Sequence, residues 1–276
     1  MGPTEWPFGE LAGVIDLACG KAVHAIAGER ASYQPVQSCG GNPVELVKKY
    51  HRLGIRSFYI ADLDAITGRP LQTALLDQMV SELDGDVLVD VGWSGLESAA
   101  AADAVSDLAE THSCLGVIAA TETAYSTAAV EDLAERVGGE RVCLGLDFRN
   151  GQFLVSQHLK DHSVGPKAQA AMGPANASTA GTPLGNETHD EFGDSPRHWI
   201  DHALALGIQR LVILDIAKVG KQVGTVTGKM CCEVKKTHPQ VSIWSGGGIR
   251  NASDAYQLIH QGCDRCLIAT ALHRLL

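Results

Sequence analysis

Short apolar runs alternate with longer amphipathic stretches along this chain of 276 residues. Apolar positions that recur three and four apart before a glycine predict helices, at residues 43–54, 72–83, 128–138 and 196–207. Runs rich in Val, Ile, Leu and Ala predict eight strands, at residues 12–17, 57–63, 86–92, 115–120, 142–147, 210–216, 241–246 and 266–270. Eight strands that alternate with helices favour an α/β fold, a single (β/α)8 barrel, with an open sheet of about six strands as the alternative.

The two halves of the chain resemble each other. The segment DLACGK at 16–21 corresponds to DFRNGQ at 147–152, and IADLDAITG at 60–68 corresponds to ILDIAKVG at 213–220. The spacing between matching residues is larger at the second pair than at the first. A tandem duplication with one insertion explains both observations, so the chain is predicted to consist of two half-barrel repeats.

The insertion is the stretch 157–195, which is rich in Gly, Ala, Pro, Ser and Thr and contains few large apolar residues. Such a composition buries too little surface to offset the entropy lost on ordering, so we expect a flexible segment. It follows the fifth strand and therefore belongs to the active-site face of a barrel. It is either a tolerated loop or a lid that substrate orders. The remainder of 1–276 is expected to form one domain after an N-terminal extension, residues 1–10.

Net charge and composition restrict the classes of molecule that the protein is expected to bind. The net charge of −10 argues against nucleic acid and against an anionic membrane surface, but a local cluster of backbone N–H groups can still bind a phosphate. The sequence contains neither an apolar run of about 18 residues nor a signal-peptide pattern at its N-terminus. Eight cysteines are too few for a disulfide framework, so we expect reduced thiols in a cytoplasmic protein, monomeric or homo-oligomeric.

Aspartates mark the ends of several predicted strands. Asp16 ends the first strand, Asp62 and Asp64 the second, Asp147 the fifth and Asp215 the sixth. In a barrel these ends meet at the active-site mouth, and the internal repeat sets Asp16 and Asp147 on opposite sides of it. Two carboxylates that face each other across a substrate suit general acid/base catalysis, although aspartates also cap loops.

A triple glycine, Gly246, Gly247 and Gly248, follows the seventh strand. Glycines let backbone N–H groups approach phosphate oxygens, and barrels commonly bind phosphate after strands seven and eight. Thr270 ends the eighth strand beside this predicted phosphate seat. Arg30 is a further candidate contact for an anionic substrate.

Two histidines, His198 and His202, have metal-ligand spacing on one predicted helix. No third ligand with supporting spacing accompanies them, so we expect no metal site there.

Five segments together resemble the histidine-biosynthesis barrel family, which contains ProFAR isomerase and the cyclase of imidazole glycerol phosphate synthase. They are DLACGKAVHAIAGERASY at 16–33, NPVELVKKYHRLGIRSFYIADLDAITGRP at 42–70, GLDFRNG at 145–151, LDIAKVG at 214–220 and SGGGIRNASD at 245–254. The resemblance covers nearly the whole chain apart from the extension and the insertion. It is closest to ProFAR isomerase, as a divergent homologue.

The resemblance implies roles for three aspartates. Asp16 matches the general base, Asp147 its partner acid, and Asp215 the aspartate of the sixth strand. It also implies an Amadori rearrangement of an aminoaldose to an aminoketose, which needs proton transfer but neither metal nor cofactor. The substrate would be a small phosphorylated ribotide or amino-sugar. Separately from the resemblance, Asp64 and Arg30 are candidate contacts for this substrate.

The chain departs from the family pattern in its first half. The family substrate is a bisphosphate, held by one glycine seat in each half, but GWSGL at 92–96 replaces the first triple glycine. Trp93 would fill the space of a phosphate, and Glu122 would repel a dianion. We therefore expect a ligand with one phosphate, its other end apolar or cationic.

Three alternatives remain open. The chain could be an authentic ProFAR isomerase, or a non-catalytic subunit that binds a phosphorylated ligand. Divergent relatives also accompany tetrahydromethanopterin-linked one-carbon genes, which suggests a role in cofactor biosynthesis.

Overall fold

In a computed structural model the structure describes residues 5–29, 32–156 and 195–276. Eight parallel strands form a closed barrel in which each strand pairs with the next one of this series and the last pairs with the first. They are β1 (Leu11–Ala18), β4 (Ser57–Asp62), β5 (Val87–Asp90), β6 (Leu115–Ala120), β7 (Val142–Arg149), β9 (Arg210–Asp215), β10 (Ser242–Gly246) and β11 (Arg265–Ile268). The predicted (β/α)8 barrel is confirmed, and the predicted strand ends differ from the observed ones by no more than two residues.

Helices connect the strands and cover the outside of the barrel. Within the described residues they are α1 (Pro43–Arg52), α2 (Leu63–Ile66), α3 (Thr73–Val80), α4 (Ala99–Thr111), α5 (Thr127–Val137), α6 (Pro196–Ala205), α7 (Gly228–Thr237), α8 (Ala252–His260) and α9 (Thr270–His273). Helix α1 illustrates why they form. Asn42 caps it by accepting a hydrogen bond from the N–H of Glu45, and Pro43 begins it.

The barrel strands are buried on both faces, which is why they read as continuous apolar runs. In β4, Phe58 and Ile60 pack outward into the layer between barrel and helices. Tyr59 and Ala61 alternate with them and pack inside the barrel. The period of two along a strand thus sorts one apolar run into two cores.

Short hairpins recur at equivalent places in the two halves. Strand β2 (Lys21–His24) folds back on β1 and carries β3 (Gln34–Pro35), and β8 (Gln152–Phe153) folds back on β7. Both reversals occur at two residues with positive φ, Cys19-Gly20 in the first half and Asn150-Gly151 in the second. This backbone is that of the tight turns which join antiparallel strands. The predicted half-barrel repeat is therefore visible in the backbone.

The predicted insertion 157–195 lies outside the described residues except for Ser195, whose side chain caps α6 by accepting a hydrogen bond from the N–H of His198. Among the described residues, no helix is long and apolar enough to cross a membrane.

The packing of α1 on the barrel predicts how much stability is lost when a core side chain is truncated. Phe58 is fully buried and stacks on Tyr50, with ring centroids 6.5 Å apart. Truncation by Phe58→Ala should lower the free energy of unfolding by about 3–5 kcal/mol, because transfer and cavity costs add. Denaturant unfolding measures this change. The control Leu96→Ala, at a side chain that is 62% exposed, should alter stability by no more than about 0.5 kcal/mol. Equal effects of the two substitutions would contradict the assignment of Phe58 to the core.

Candidate active site

A cavity of about 300 Å³ opens at the carboxyl ends of the barrel strands. Its lining combines side chains from the ends of the strands with backbone from the loops that follow them. The strands bring inward-facing side chains to one mouth because the barrel is closed. The polar and charged groups that contribute to the lining are Asp16, Tyr33, Tyr59, Asp90, Glu122, Thr123, Asp147, Arg149, Gln222 and Thr270.

Asp16 and Asp147 both line this cavity, as the internal repeat predicts. They occupy equivalent positions at the ends of β1 and β7, each just before a hairpin turn. Burial and the nearby charge of Asp90 raise the pKa of Asp16 to about 7. Burial, Glu122 and Asp90 also raise the pKa of Asp147 well above its ordinary value. Both carboxyls can therefore hold a proton at pH values at which exposed aspartates are ionised.

Asp90 is a third carboxylate in the cavity, at the end of β5. Its Oδ2 accepts a hydrogen bond of 2.9 Å from the hydroxyl of Tyr59, and its Oδ1 accepts one of 2.9 Å from the N–H of Gly92. These two contacts fix the orientation of the Asp90 carboxylate, whose charge is one cause of the raised pKa of Asp16 and of Asp147. The sequence analysis missed Asp90 and Tyr59, although a carboxylate at the end of an apolar strand was the same signal that identified Asp16.

The glycine seat of the second half borders the cavity through Gly247 and Gly248. Both residues have positive φ, and a Cβ at Gly248 would lie 2.5 Å from the carbonyl oxygen of Gly224. Only glycine fits this turn. Gly246 ends β10, and a Cβ there would lie 2.5 Å from the carbonyl oxygen of Leu267. This glycine therefore allows close packing of the two strands and does not line the cavity.

Thr270 lies on the cavity wall beside these glycines. Its hydroxyl is 2.8 Å from Nε2 of His24, a residue of the β1–β2 hairpin. Burial lowers the pKa of His24, so at neutral pH the ring is uncharged and can fix the hydroxyl of Thr270. His24 was missed because the contact spans 246 residues of sequence.

At the corresponding turn of the first half, a side chain of the protein binds the backbone donors, and a second cavity, which Arg69 also lines, lies beside the turn. Trp93 is fully buried, and its indole N–H donates to the carbonyl oxygen of Ala129 in the first turn of α5, at 2.9 Å. That Trp93 occupies the space of a phosphate stays a prediction. In addition, the carboxylate of Glu97 accepts hydrogen bonds from the N–H of Ser94 (2.7 Å), the hydroxyl of Ser94 (2.8 Å) and the N–H of Gly95 (2.9 Å).

These donors follow β5, the third barrel strand of the first half. The equivalent strand of the second half is β10, which precedes the glycines. A side-chain carboxylate thus uses the turn donors that an external anion would need, a role for Glu97 that the sequence analysis missed.

Asp215 and Asp64 do not line the cavity and instead hold the hairpin turns. The carboxylate of Asp215 accepts from the N–H groups of Asn150 (3.1 Å), Gly151 (2.8 Å) and Ala217 (3.0 Å). Asp64 accepts from the N–H of Cys19, at 3.0 Å. These contacts fix the turns after Asp147 and Asp16, respectively. The catalytic role of Asp215 and the substrate contact of Asp64 stay predictions.

Asp62 also serves the backbone, since its carboxylate accepts from the N–H groups of Asp64 and Ala65 at the start of α2. Arg30 lies outside the described residues. Arg149, which was not predicted, lines the cavity beyond Asp147.

One histidine of the pair on α6, His202, has a carboxylate as its partner. His202 Nε2 lies 3.1 Å from a carboxylate oxygen of Glu131. In the part of the chain that the structure describes, no group of three or more His, Cys, Asp or Glu residues is arranged to hold a metal ion.

Comparison with known proteins gives a consistent result. The sequence profile of a family described as "Histidine biosynthesis protein" matches residues 10–275. An uncharacterised protein of Methanocaldococcus jannaschii is 28% identical over 270 residues, which cover 95% of this chain and 92% of the relative. The ProFAR isomerase of Cutibacterium acnes is 26% identical over 273 residues, with coverage of 94% and 85%. That of Desulforudis audaxviator is 23% identical over 265 residues, with coverage of 94% and 84%.

The electrostatic influence of Asp90 on Asp16 leads to a prediction. Asp90→Asn should move the pKa of Asp16 down from about 7, because one of its two causes is removed while burial remains. A ¹³C NMR titration of aspartate carboxyl carbons measures the change. Asp107→Asn, an exposed carboxylate on α4, is the matched control and should leave Asp16 unaltered. An unchanged Asp16 titration in Asp90→Asn would show that the two groups are not coupled.

Proposed function

Because the chain belongs to the histidine biosynthesis protein family, we propose that it is an isomerase-type barrel enzyme acting on a small ligand with a single phosphate. The family profile spans the whole barrel, and relatives of similar length are named as ProFAR isomerases. The observation that carries the proposal is the contrast between the two halves. The second-half glycine turn borders the cavity, whereas the carboxylate of Glu97 already binds the donors of the first-half turn.

The proposed chemistry is an aldose–ketose rearrangement of an amino-sugar phosphate or ribotide. Asp147 donates a proton to the ring oxygen, so that the bond between C1 and this oxygen breaks and an iminium forms between C1 and the nitrogen. Asp16 then takes the proton from C2, and the resulting enaminol becomes the aminoketose by gaining a proton at C1 and losing the hydroxyl proton at O2. Only proton transfers are required, so the reaction needs no cofactor.

The environments of the two carboxyls support this division of roles. A pKa of about 7 leaves Asp16 partly ionised at neutral pH, as a base requires. Burial among other carboxylates favours the protonated form of Asp147, as an acid requires. Asp215 is the less suitable donor, because three backbone N–H groups already bind its carboxylate. We propose that it positions Asp147 through the Asn150–Gly151 turn.

The phosphate is proposed to bind Gly247, Gly248 and Thr270, with Gly246 supporting the turn. A further observation supports phosphate binding at this end of the cavity. The side-chain nitrogen of Gln222 is buried and has no hydrogen-bond acceptor within the described residues, yet Gln222 lines the cavity. A buried donor without an acceptor costs free energy, and a phosphate oxygen would satisfy it.

The proposal of a single phosphate seat predicts the number of phosphate sites per chain and their dependence on Thr270. Calorimetry with inorganic phosphate should give one site per chain, and Thr270→Val should weaken it about tenfold, because one hydrogen bond to a charged group is lost. Ser106→Ala, a helix hydroxyl bonded to its own backbone, is the control. Two equivalent sites per chain, or full affinity in Thr270→Val, would contradict this assignment.

The proton transfers predict the behaviour of two variants. In D₂O, an N-substituted 5-phosphoribosylamine should exchange its C2 hydrogen in the presence of the protein, as ¹H NMR can follow. Asp16→Asn and Asp147→Asn should each slow turnover by about 10²–10⁴-fold, whereas Asp107→Asn should not. Undiminished turnover in both variants would overturn the assigned roles.

The ProFAR isomerase alternative has a separate test. Because Glu97 already binds the donors of the first-half turn, we predict that the chain fails to rescue a histidine auxotroph that lacks this isomerase, since ProFAR carries two phosphates. Rescue would favour the alternative over the single-phosphate proposal.

A further inference from the structure

A row of three rings lies behind the part of the cavity wall that carries Thr270. His24, on β2, is the nearest of them, with Nε2 2.8 Å from the hydroxyl oxygen of Thr270. The ring of His273, in α9, meets that of His24 edge to face, with centroids 5.6 Å apart. Tyr50, in α1, stacks on His273 with centroids 6.2 Å apart. The side chain of Thr270 therefore links this row of rings to the cavity.

The row of rings is an environment in which a charged imidazole is unfavourable. Tyr50 is fully buried, and neither its hydroxyl nor Nε2 of His273 has a hydrogen-bond partner within the described residues. In the same part of the chain, burial alone lowers the pKa of His24. Burial and the nearby His24 lower the pKa of His273 to about 4. In the ligand-free protein both imidazoles are therefore neutral at neutral pH.

The other elements around His24 present groups of three kinds. Helices α9 and α1 contribute His273 and Tyr50, neither of which carries a charge at neutral pH. Strand β3 places Gln34, which does not titrate, opposite His24. Strand β1 pairs Asp16 with the residue before His24, and the carboxyl of Asp16 lines the cavity. Asp16 therefore needs a control in any pH experiment on this site.

A phosphate on the seat would change the proton equilibrium of His24. Its oxygens would accept a hydrogen bond from the hydroxyl of Thr270, whose oxygen can accept one from Nε2–H of His24. Two hydrogen bonds of ordinary length place the anion about 5–6 Å from the imidazole. An opposite charge at that distance favours the charged imidazole and raises its pKa by about 1–3. The bound anion thus offsets the burial that keeps His24 neutral.

We propose that His24 is a positioning residue of the phosphate seat and that it takes up a proton when a doubly charged anion binds beside Thr270. The proposal rests on the proposed phosphate seat. Neutral His24 orients the hydroxyl of Thr270 through Nε2, and protonated His24 also supplies a positive charge one hydrogen bond behind the anion. The coupling is reciprocal, so protonation strengthens anion binding by the factor by which the anion favours protonation.

The direction of the pH dependence follows from this coupling. Protonated His24 binds the anion more tightly than neutral His24 does. The affinity therefore rises as the pH falls from the pKa of His24 in the complex to its lower pKa in the free protein, and this contribution is constant outside that interval. A pKa that is higher by about 1 in the complex corresponds to an about tenfold gain in affinity.

Sulfate is a suitable probe, because it keeps two negative charges throughout this range whereas phosphate itself titrates. In an NMR titration of the histidine Cε1–H groups, saturating sulfate should raise the pKa of His24 by about 1 or more. His260, exposed on α8, is the internal reference and should not respond to sulfate. Calorimetry from about pH 8 to about pH 5 should show a gain in sulfate affinity of at least about tenfold. An unchanged His24 titration in the sulfate complex would overturn the proposal.

Four variants separate titration from structure. In His24→Gln the side-chain amide can still donate to Thr270 but cannot titrate, so most of the gain towards acid should disappear. His24→Leu should also weaken sulfate binding at high pH, because it cannot donate. His273→Phe keeps a ring in the row and should keep the gain. Asp16→Asn removes a carboxyl whose pKa is about 7 and should also keep it.

The outcomes distinguish the proposal from the seat on which it rests. Circular dichroism and thermal unfolding establish that each variant is folded. A full gain in His24→Gln, or loss of the gain in His273→Phe or in Asp16→Asn, would assign the proton to another group and overturn the proposal, with the phosphate seat intact. Absence of sulfate binding, or unchanged sulfate affinity in Thr270→Val, would overturn the phosphate seat and with it the proposal.

Discussion

Closure of the barrel, through parallel pairing of β1 with β11, is the constraint on which the site depends. In this register Leu11 lies opposite Cys266 and Gly13 opposite Ile268. The pairing brings the last strand of the chain beside the first, so Thr270 comes within hydrogen-bond distance of His24. The same closure directs the carboxyl ends of all eight strands to one mouth. Residues from both halves can therefore act on one ligand.

The two halves share a backbone plan but differ in the use of their anion-binding turns. Both keep the hairpin at the first strand, with the same pair of positive-φ residues at its turn. Both use a nearby carboxylate to hold that turn, Asp64 in α2 just after the next barrel strand in one half and Asp215 at the end of the next barrel strand in the other. In the second half the glycine turn borders the cavity that contains Asp16 and Asp147. In the first half an internal carboxylate binds the donors of the equivalent turn, and a buried indole packs beside it.

The sequence was sufficient to predict the barrel, because strands buried on both faces appear as continuous apolar runs. It also identified Asp16 and Asp147 correctly as residues of the mouth, because both end a strand at matching places of the repeat. Glu97 could not be identified in this way, since its role depends on the turn that returns Ser94 and Gly95 to its carboxylate. Likewise, only folding brings Asp215 to the hairpin turn 64 residues before it.

The central claim is that one half of the barrel binds phosphate and the other binds its own glutamate. A crystal structure of the protein with bound inorganic phosphate tests it most directly. The account predicts one phosphate against Gly248 and Thr270, with Glu97 still bonded to Ser94 and Gly95. A phosphate bound to Ser94 and Gly95, with the Glu97 side chain displaced, would contradict it.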